Sequence, residues 1–404
     1  MLGLRVVIVL TALVVASPFG AGAARGETAT FEAWVAGFRD EALARGIGPE
    51  TFDRAFAGVQ PIERVIELDR RQPEFVETFW GYLDKRVTPA RIERGRVELA
   101  RHRPLLEAIA RRYGVQPRFL VALWGLESNF GDFTGTFPAV AAVATLAFDE
   151  RRSVFFRQQL LALLQIVASD DVPVSAQSSW AGAMGQPQFI PTTYRDFAVD
   201  FDGNGRRDLW RDLGDVFASA ANYLAASGWQ DNRTWGREVR LPAGFDLSLS
   251  GLEIRKPLAE WQRLGVRDAG GRDLPAVDVN GSIVLPGGAT GGPALMVYDN
   301  FRTIMTWNRS ILYAVSVGHF ADRLEGKGPF VTPRPARDVQ LSRAEVIEIQ
   351  SLLETLGLDP GVADGIVGPQ TRSAIRTFQV QKRLPADGFP TIGLLERLRS
   401  AAGG

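Results

Sequence analysis

The chain has 404 residues, close to half of them hydrophobic, and its 46 basic and 46 acidic side chains give a formal net charge of zero. That length and apolar content support one large core plus a smaller module, while the balanced, interspersed charge lacks the footprint of a nucleic-acid binder or a polybasic membrane protein. With no cysteine and only His102 and His319 as histidines, disulfide frameworks, thiol nucleophiles, structural zinc and most Ser/His/Asp triads are excluded, so acid chemistry falls to Asp or Glu.

The chain opens with Arg5, an apolar stretch from Val6 to Ala16 and small residues through Ala24, the pattern of a secretory signal. The apolar run is shorter than the roughly 20 residues of a spanning helix. A cleaved signal over 1–23 is therefore expected, with no membrane span in the mature chain, and an exported protein free of cysteine suits a bacterial periplasm. From Thr30 to about Arg112 the spacing predicts helices: Phe31, Trp34, Phe38 and Leu43 recur at helical intervals, as do Val65, Leu68, Phe75, Phe79 and Tyr82. Pro117 opens the next helix, and Gly131 lies where a glycine ends one. A further apolar helix is expected from about Val154 to Val167. Over 237–297 short β-type pieces such as Ser282-Ile283-Val284-Leu285, separated by Gly, Pro and Asp, predict a small β-containing insertion. Helix returns from Tyr298 to about Leu324, and 326–340, rich in Pro, Gly and Arg, reads as a linker. In 341–400 two helical stripes, Val346/Ile349/Leu353/Leu356 and Ala374/Ile375/Phe378, mark a small helical module with Asp-Gly turns at Asp364 and Asp387.

Three stretches bear on chemistry. Glu127 is the only acid in the run from Ala122 to Gly131. An apolar surround raises a carboxyl pKa, which suits a proton donor, although a core glutamate satisfied by hydrogen bonds has the same signature. Ser178 to Tyr194 alternates Gly and Ala with Ser179, Gln186, Gln188 and Tyr194. That pattern fits the wall of a ligand groove, and it fits a loop of tight turns at least as well. Asp200-Phe201-Asp202-Gly203-Asn204-Gly205-Arg206 matches the opening of a calcium loop, with Arg206 offering its backbone carbonyl, but the twelfth position is Arg211 rather than a bidentate glutamate. The same stretch fits an Asp-Gly turn held by arginine, with Asp208 capping or pairing with Arg207 or Arg211.

Taken together, Glu127-Ser128-Asn129-Phe130-Gly131, the run Ala181-Gly182-Ala183-Met184-Gly185-Gln186-Pro187-Gln188-Phe189-Ile190-Pro191, Ala221-Asn222-Tyr223-Leu224, and Trp307-Asn308-Arg309-Ser310 with Tyr313 resemble the membrane-bound lytic transglycosylase B family. Segment 341–400, through Ile349-Gln350, Asp364-Gly365 and Asp387-Gly388, resembles the three-helix peptidoglycan-binding module. The resemblance implies a mainly α (α+β) fold: a lysozyme-like catalytic domain over 24–325 carrying the β-containing insertion, followed by the wall-binding module. It implies that Glu127 acts as acid and then base on the bond between N-acetylmuramic acid and N-acetylglucosamine, forming a 1,6-anhydro end without water. Ser179, Gln188, Tyr223, Asn308, Tyr313 and Tyr82 are the residues it implies for substrate contact. Trp307 stands where relatives carry tyrosine.

The resemblance also implies a structural calcium held by Asp200, Asp202, Asn204 and the Arg206 carbonyl, with Asp215 as the late ligand, and no cofactor in the reaction itself. Glycan strands of peptidoglycan are the expected partner, alongside other cell-wall enzymes, with no role for nucleic acid. Two alternatives stay open at this point: a hydrolytic muramidase, and a noncatalytic wall-binding or scaffolding protein.

Overall fold

The computed structural model describes residues 30–70, 77–336 and 338–403; the signal segment 1–23 and Phe75 lie outside the described residues. Helices Phe31–Ala44, Pro49–Phe56, Glu63–Arg70, Phe79–Arg86, Pro89–Arg101 and Arg103–Tyr113 occupy the first part of the chain. Several begin on a local signal visible in the sequence: Thr30, Thr78 and Thr88 each accept the amide three residues on, and prolines open the helices at 49 and 89.

Two apolar bodies follow. One gathers around helix Pro117–Ser128, whose one side packs on helix Ile311–Leu324. Their close approach rests on glycine: a Cβ on Gly125 would lie 2.8 Å from the rings of Phe130 and Phe320, while Gly318 on the second helix makes room for Trp235, whose ring a Cβ would meet at 2.2 Å. The other body packs Phe38 and Phe52 of the first helices against helices Ala139–Phe148 and Ser153–Ala168. The nine buried positions of Ala139–Phe148 make it buried all round, so it shows no helical stripe to read. A two-stranded pair, β1 (Phe137–Pro138) with β2 (Gln177–Ser178), joins this body to the polar run that follows.

The insertion is a five-stranded antiparallel sheet: β3 (Gly236–Arg240), β4 (Lys256–Pro257), β5 (Arg267–Asp268), β6 (Asn280–Val284) and β7 (Ala294–Val297), in the order β4-β6-β7-β3-β5. It has its own core around Trp261, Ile283 and Met296.

Within 326–340, residues 330–334 are strapped to the preceding body rather than hanging free. Phe330 stacks on His319 at 4.1 Å, Val331 and Thr332 donate their amides to Glu238, and Arg334 makes a two-pronged ion pair with Asp84 at 2.6 and 2.7 Å. Helices Arg343–Thr355, Pro369–Gln381 and Ile392–Ala402 then close the small module over Ile349, Leu353, Ile375, Phe378 and Leu398. Each Asp-Gly turn is held by a buried glutamine: Gln350 accepts the Gly365 amide at 2.9 Å, and Gln379 accepts that of Gly388 at 2.8 Å. The module also meets the insertion, where the Ala289 amide donates to Asp387 at 2.8 Å.

Candidate active site

Helix Pro117–Ser128 ends one residue after Glu127, earlier than the glycine at 131 suggested. Asn129 takes the left-handed turn at φ 51°, and Phe130 and Gly131 continue with positive φ. Asparagine is the side chain after glycine best able to bear that conformation, so it ends the helix and glycine serves the turn beyond. Ser128, fully buried, holds this turn: its hydroxyl donates to the Trp124 carbonyl at 3.2 Å and accepts the Gly131 amide at 3.0 Å.

Glu127 is half-buried at the end of this helix, and Tyr313 from the first turn of helix Ile311–Leu324 donates its hydroxyl to Oε1. Burial first, then the neighbouring Glu127, raise the Tyr313 pKa well above that of a free phenol. The hydroxyl therefore keeps its proton at neutral pH and remains a donor. Tyr82 is only 2% exposed, with the Arg86 guanidinium 4.2 Å over its ring. It lies close enough to Tyr313, itself only 4% exposed, to influence that residue's ionisation.

The acid next in sequence, Asp132, is committed elsewhere. Arg94 grips both its oxygens at 2.5 and 3.0 Å, and the Asn129 amide donates to it at 2.8 Å. The hydrogen bonds from Arg94 hold its carboxyl below the ordinary value, so it is a fixed anion rather than a proton carrier.

The polar run 178–190 folds as a wall of tight turns beside the Glu127 helix. Ser179 accepts the Ala183 amide on its hydroxyl at 3.0 Å, Met184 and Phe189 exchange backbone bonds at 2.8 and 3.0 Å, and Gly182 and Gly185 take positive φ. Gln186 ties the wall to the Glu127 helix: its Oε1 accepts the Trp124 indole N–H at 2.6 Å, and a Cβ on Gly131 would meet that oxygen at the same 2.6 Å. Gln188, at φ 52°, donates its amide to the carbonyls of Gly185 and Thr134 at 2.9 and 3.3 Å.

Trp307 packs its ring 5.3 Å from Phe189 and 5.4 Å from Tyr223, and the Tyr223 hydroxyl donates to Thr306 at 2.9 Å. Trp307, Phe189 and Tyr223 thus form one aromatic cluster. Asn308 caps the end of helix Asp299–Trp307 and stands half-buried between Trp307 and Tyr313 in the chain.

In the loop after this wall, carboxylate oxygens of Asp200, Asp202 and Asp215 lie within 4.8 Å of one another. Asp200 accepts the amides of Gly203, Asn204 and Gly205 at 2.8, 3.1 and 2.8 Å, wrapping the loop around itself. Asp215, fully buried in the first turn of helix Leu213–Ala226, accepts Phe201 and Asp208 amides at 2.7 and 2.8 Å. Burial pushes its pKa up to about 6, with Asp212 and Asp200 adding to the rise against those two amides. Among the described residues, no lysine or arginine pairs with these three acids. Asn204 directs its oxygen to the Arg206 amide at 2.9 Å and its nitrogen to Asp202 at 2.9 Å. Asp208 caps the amides of Trp210 and Arg211, while Arg207 pairs with Asp171, so arginine does not hold the acid cluster.

Comparison with known proteins agrees with this architecture. Residues 30–322 match the family model described as transglycosylase SLT domain, and residues 342–398 match that of a putative peptidoglycan binding domain. Membrane-bound lytic murein transglycosylase B of Escherichia coli is 32% identical over 250 residues, which span 58% of this chain and 64% of that relative. The crystal structure of SltB3 from Pseudomonas aeruginosa, in complex with NAG-anhNAM-pentapeptide, superposes with a TM-score of 0.88 at 51% identity, covering 92% of this chain and 99% of that one. The Escherichia coli lytic transglycosylase Slt35 in complex with calcium gives a TM-score of 0.63 at 26% identity over 72% of this chain and 92% of that one. The fold is accordingly mainly α, with a lysozyme-like body and a helical C-terminal module. Among the described residues no helix is long and apolar enough to cross a membrane. The chain belongs to the SLT transglycosylase family and carries a peptidoglycan-binding domain after its catalytic one.

Proposed function

We propose that this chain is an exported, periplasmic lytic transglycosylase that cleaves the β-1,4 bond between N-acetylmuramic acid and N-acetylglucosamine. One observation carries the mechanism: Glu127 stands beside a phenolic donor while Asp132 is locked by Arg94. Ordinary glycosidases need a second carboxylate as base or nucleophile, and the acid next in the chain is spent on an ion pair.

Glu127 gives its proton to the glycosidic oxygen as the bond to C1 breaks, and the leaving sugar departs as an alcohol with help from the muramoyl acetamido group. The Glu127 carboxylate, steadied by the Tyr313 hydroxyl, then takes the proton of the substrate's own C6 hydroxyl, whose oxygen closes on C1. An attacking group already attached to the sugar has the advantage of an intramolecular reaction, so no protein nucleophile is required. Ser179, Gln188, Tyr223 and Asn308 are proposed to hold the strand, with Tyr313 serving both substrate and acid. Digestion of purified sacculi in heavy-oxygen water distinguishes this route from a muramidase: the new ends stay unlabelled here, whereas hydrolysis labels each one.

Calcium at Asp200, Asp202 and Asp215 fits the observed donors, because hard carboxylate oxygens converge there and a buried acid lacks a cationic partner. Asn204 and the Arg206 carbonyl complete the proposed set, which requires the Asn204 amide to turn from its present bonds. The ion would join the loop to helix Leu213–Ala226 and supply no step of the reaction. Calcium at a hundred times its dissociation constant then adds about 2.7 kcal/mol, a rise in melting temperature of about 5 °C for a domain of this size. Asp215→Asn should abolish the rise, and equal melting of the parent protein in chelator and in calcium would count against the site.

A further inference from the structure

Phe133 has no part in the chemistry above, yet it is 68% exposed in the loop leaving Glu127, well beyond the 37% of Phe155. Burying a phenylalanine gains about 1.5–3 kcal/mol, so a ring displayed on a braced loop forfeits stability that a mobile loop could recover by folding inward. This loop is braced on both sides. The Phe133 amide donates to the Ser128 carbonyl at 2.9 Å, and Asp132 is clamped by Arg94 and Asn129. Just after the ring, the Thr134 carbonyl accepts from the Gln188 side chain at 3.3 Å. Gly135, at φ 116°, lies so close to the Ser178 backbone that a Cβ would fall 2.1 Å from its carbonyl carbon. The ring is thus presented on a short rigid rim joining the Glu127 helix to the Gln188 wall.

We infer that Phe133 is a sugar-stacking residue of the cleft, covering the apolar C–H face of a pyranose in the bound glycan strand. A pyranose offers one face of C–H groups and a rim of hydroxyls, so a flat exposed ring next to polar groups such as Gln188 matches it. Aromatic rings favour such contacts through dispersion and their negative face. The neighbouring Asp132 carries no uncompensated charge toward an anionic strand, since Arg94 neutralises it. This inference rests on the glycan-cleft reading proposed above.

The test uses the full chain carrying Glu127→Gln, titrated calorimetrically with peptide-free glycan strands. Adding Phe133→Ala should raise Kd about threefold to tenfold, the scale of one aromatic contact, and Phe133→Trp should restore it. An unchanged Kd in Phe133→Ala overturns the inference. Weakening confined to strands that carry stem peptides also overturns it, since the ring would then serve the peptide. Failure of the parent reading shows separately, as cleavage that persists in Glu127→Gln.

Discussion

Glu127→Gln should lower release of glycan fragments from purified sacculi by about a thousandfold or more, within the 10²–10⁴ that one general acid–base group contributes. Here a single group serves both protonation and deprotonation, so its loss removes both steps. Glutamine keeps the size of the side chain and can still accept from the Tyr313 hydroxyl, so binding of glycan strands should survive. A variant that digests sacculi at the parental rate would remove Glu127 from the chemistry. A variant that neither cleaves nor binds would point to a damaged groove, which a circular dichroism melt would reveal.

Tyr313→Phe is the second large effect expected. The hydroxyl donates to Oε1 of Glu127 from a buried position, and a hydrogen bond to a charged group is worth about 1.5–3 kcal/mol. Its loss should cost about tenfold to a hundredfold in kcat. The melting temperature of Tyr313→Phe should stay close to the parent's, since phenylalanine keeps the ring in its buried place. A merely structural tyrosine would lower melting temperature and activity together, which a circular dichroism melt beside the rate measurement checks.

Much of this was legible in the sequence because the signals are local. Pro117 and the apolar run from Phe119 to Trp124 mark the helix that carries Glu127, and the 181–191 motif sits against that helix through Gln186 and Trp124. Features that depend on distant partners were not legible. Nothing near Asp132 announces Arg94, which lies 38 positions away, yet that pair removes the adjacent carboxylate from contention. Tyr82 shows the same helical spacing whether its ring is exposed or buried, and only the structure buries it near Tyr313. Helix Ala139–Phe148 escaped because an all-apolar helix has no stripe. The segment 326–340 has the Pro, Gly and Arg content of a tether, and only the remote acids Asp84 and Glu238 turn it into a strap.

The mass of the glycan ends released from purified sacculi tests the central claim most directly. A single carboxylate acting as acid and then base, with the substrate's C6 hydroxyl as nucleophile, predicts muramic ends one water lighter than hydrolysed ends and resistant to borohydride reduction. Reducible ends at the full hydrated mass would contradict it, and would require a water-activating base beside Glu127, where the next acid in the chain is held by Arg94.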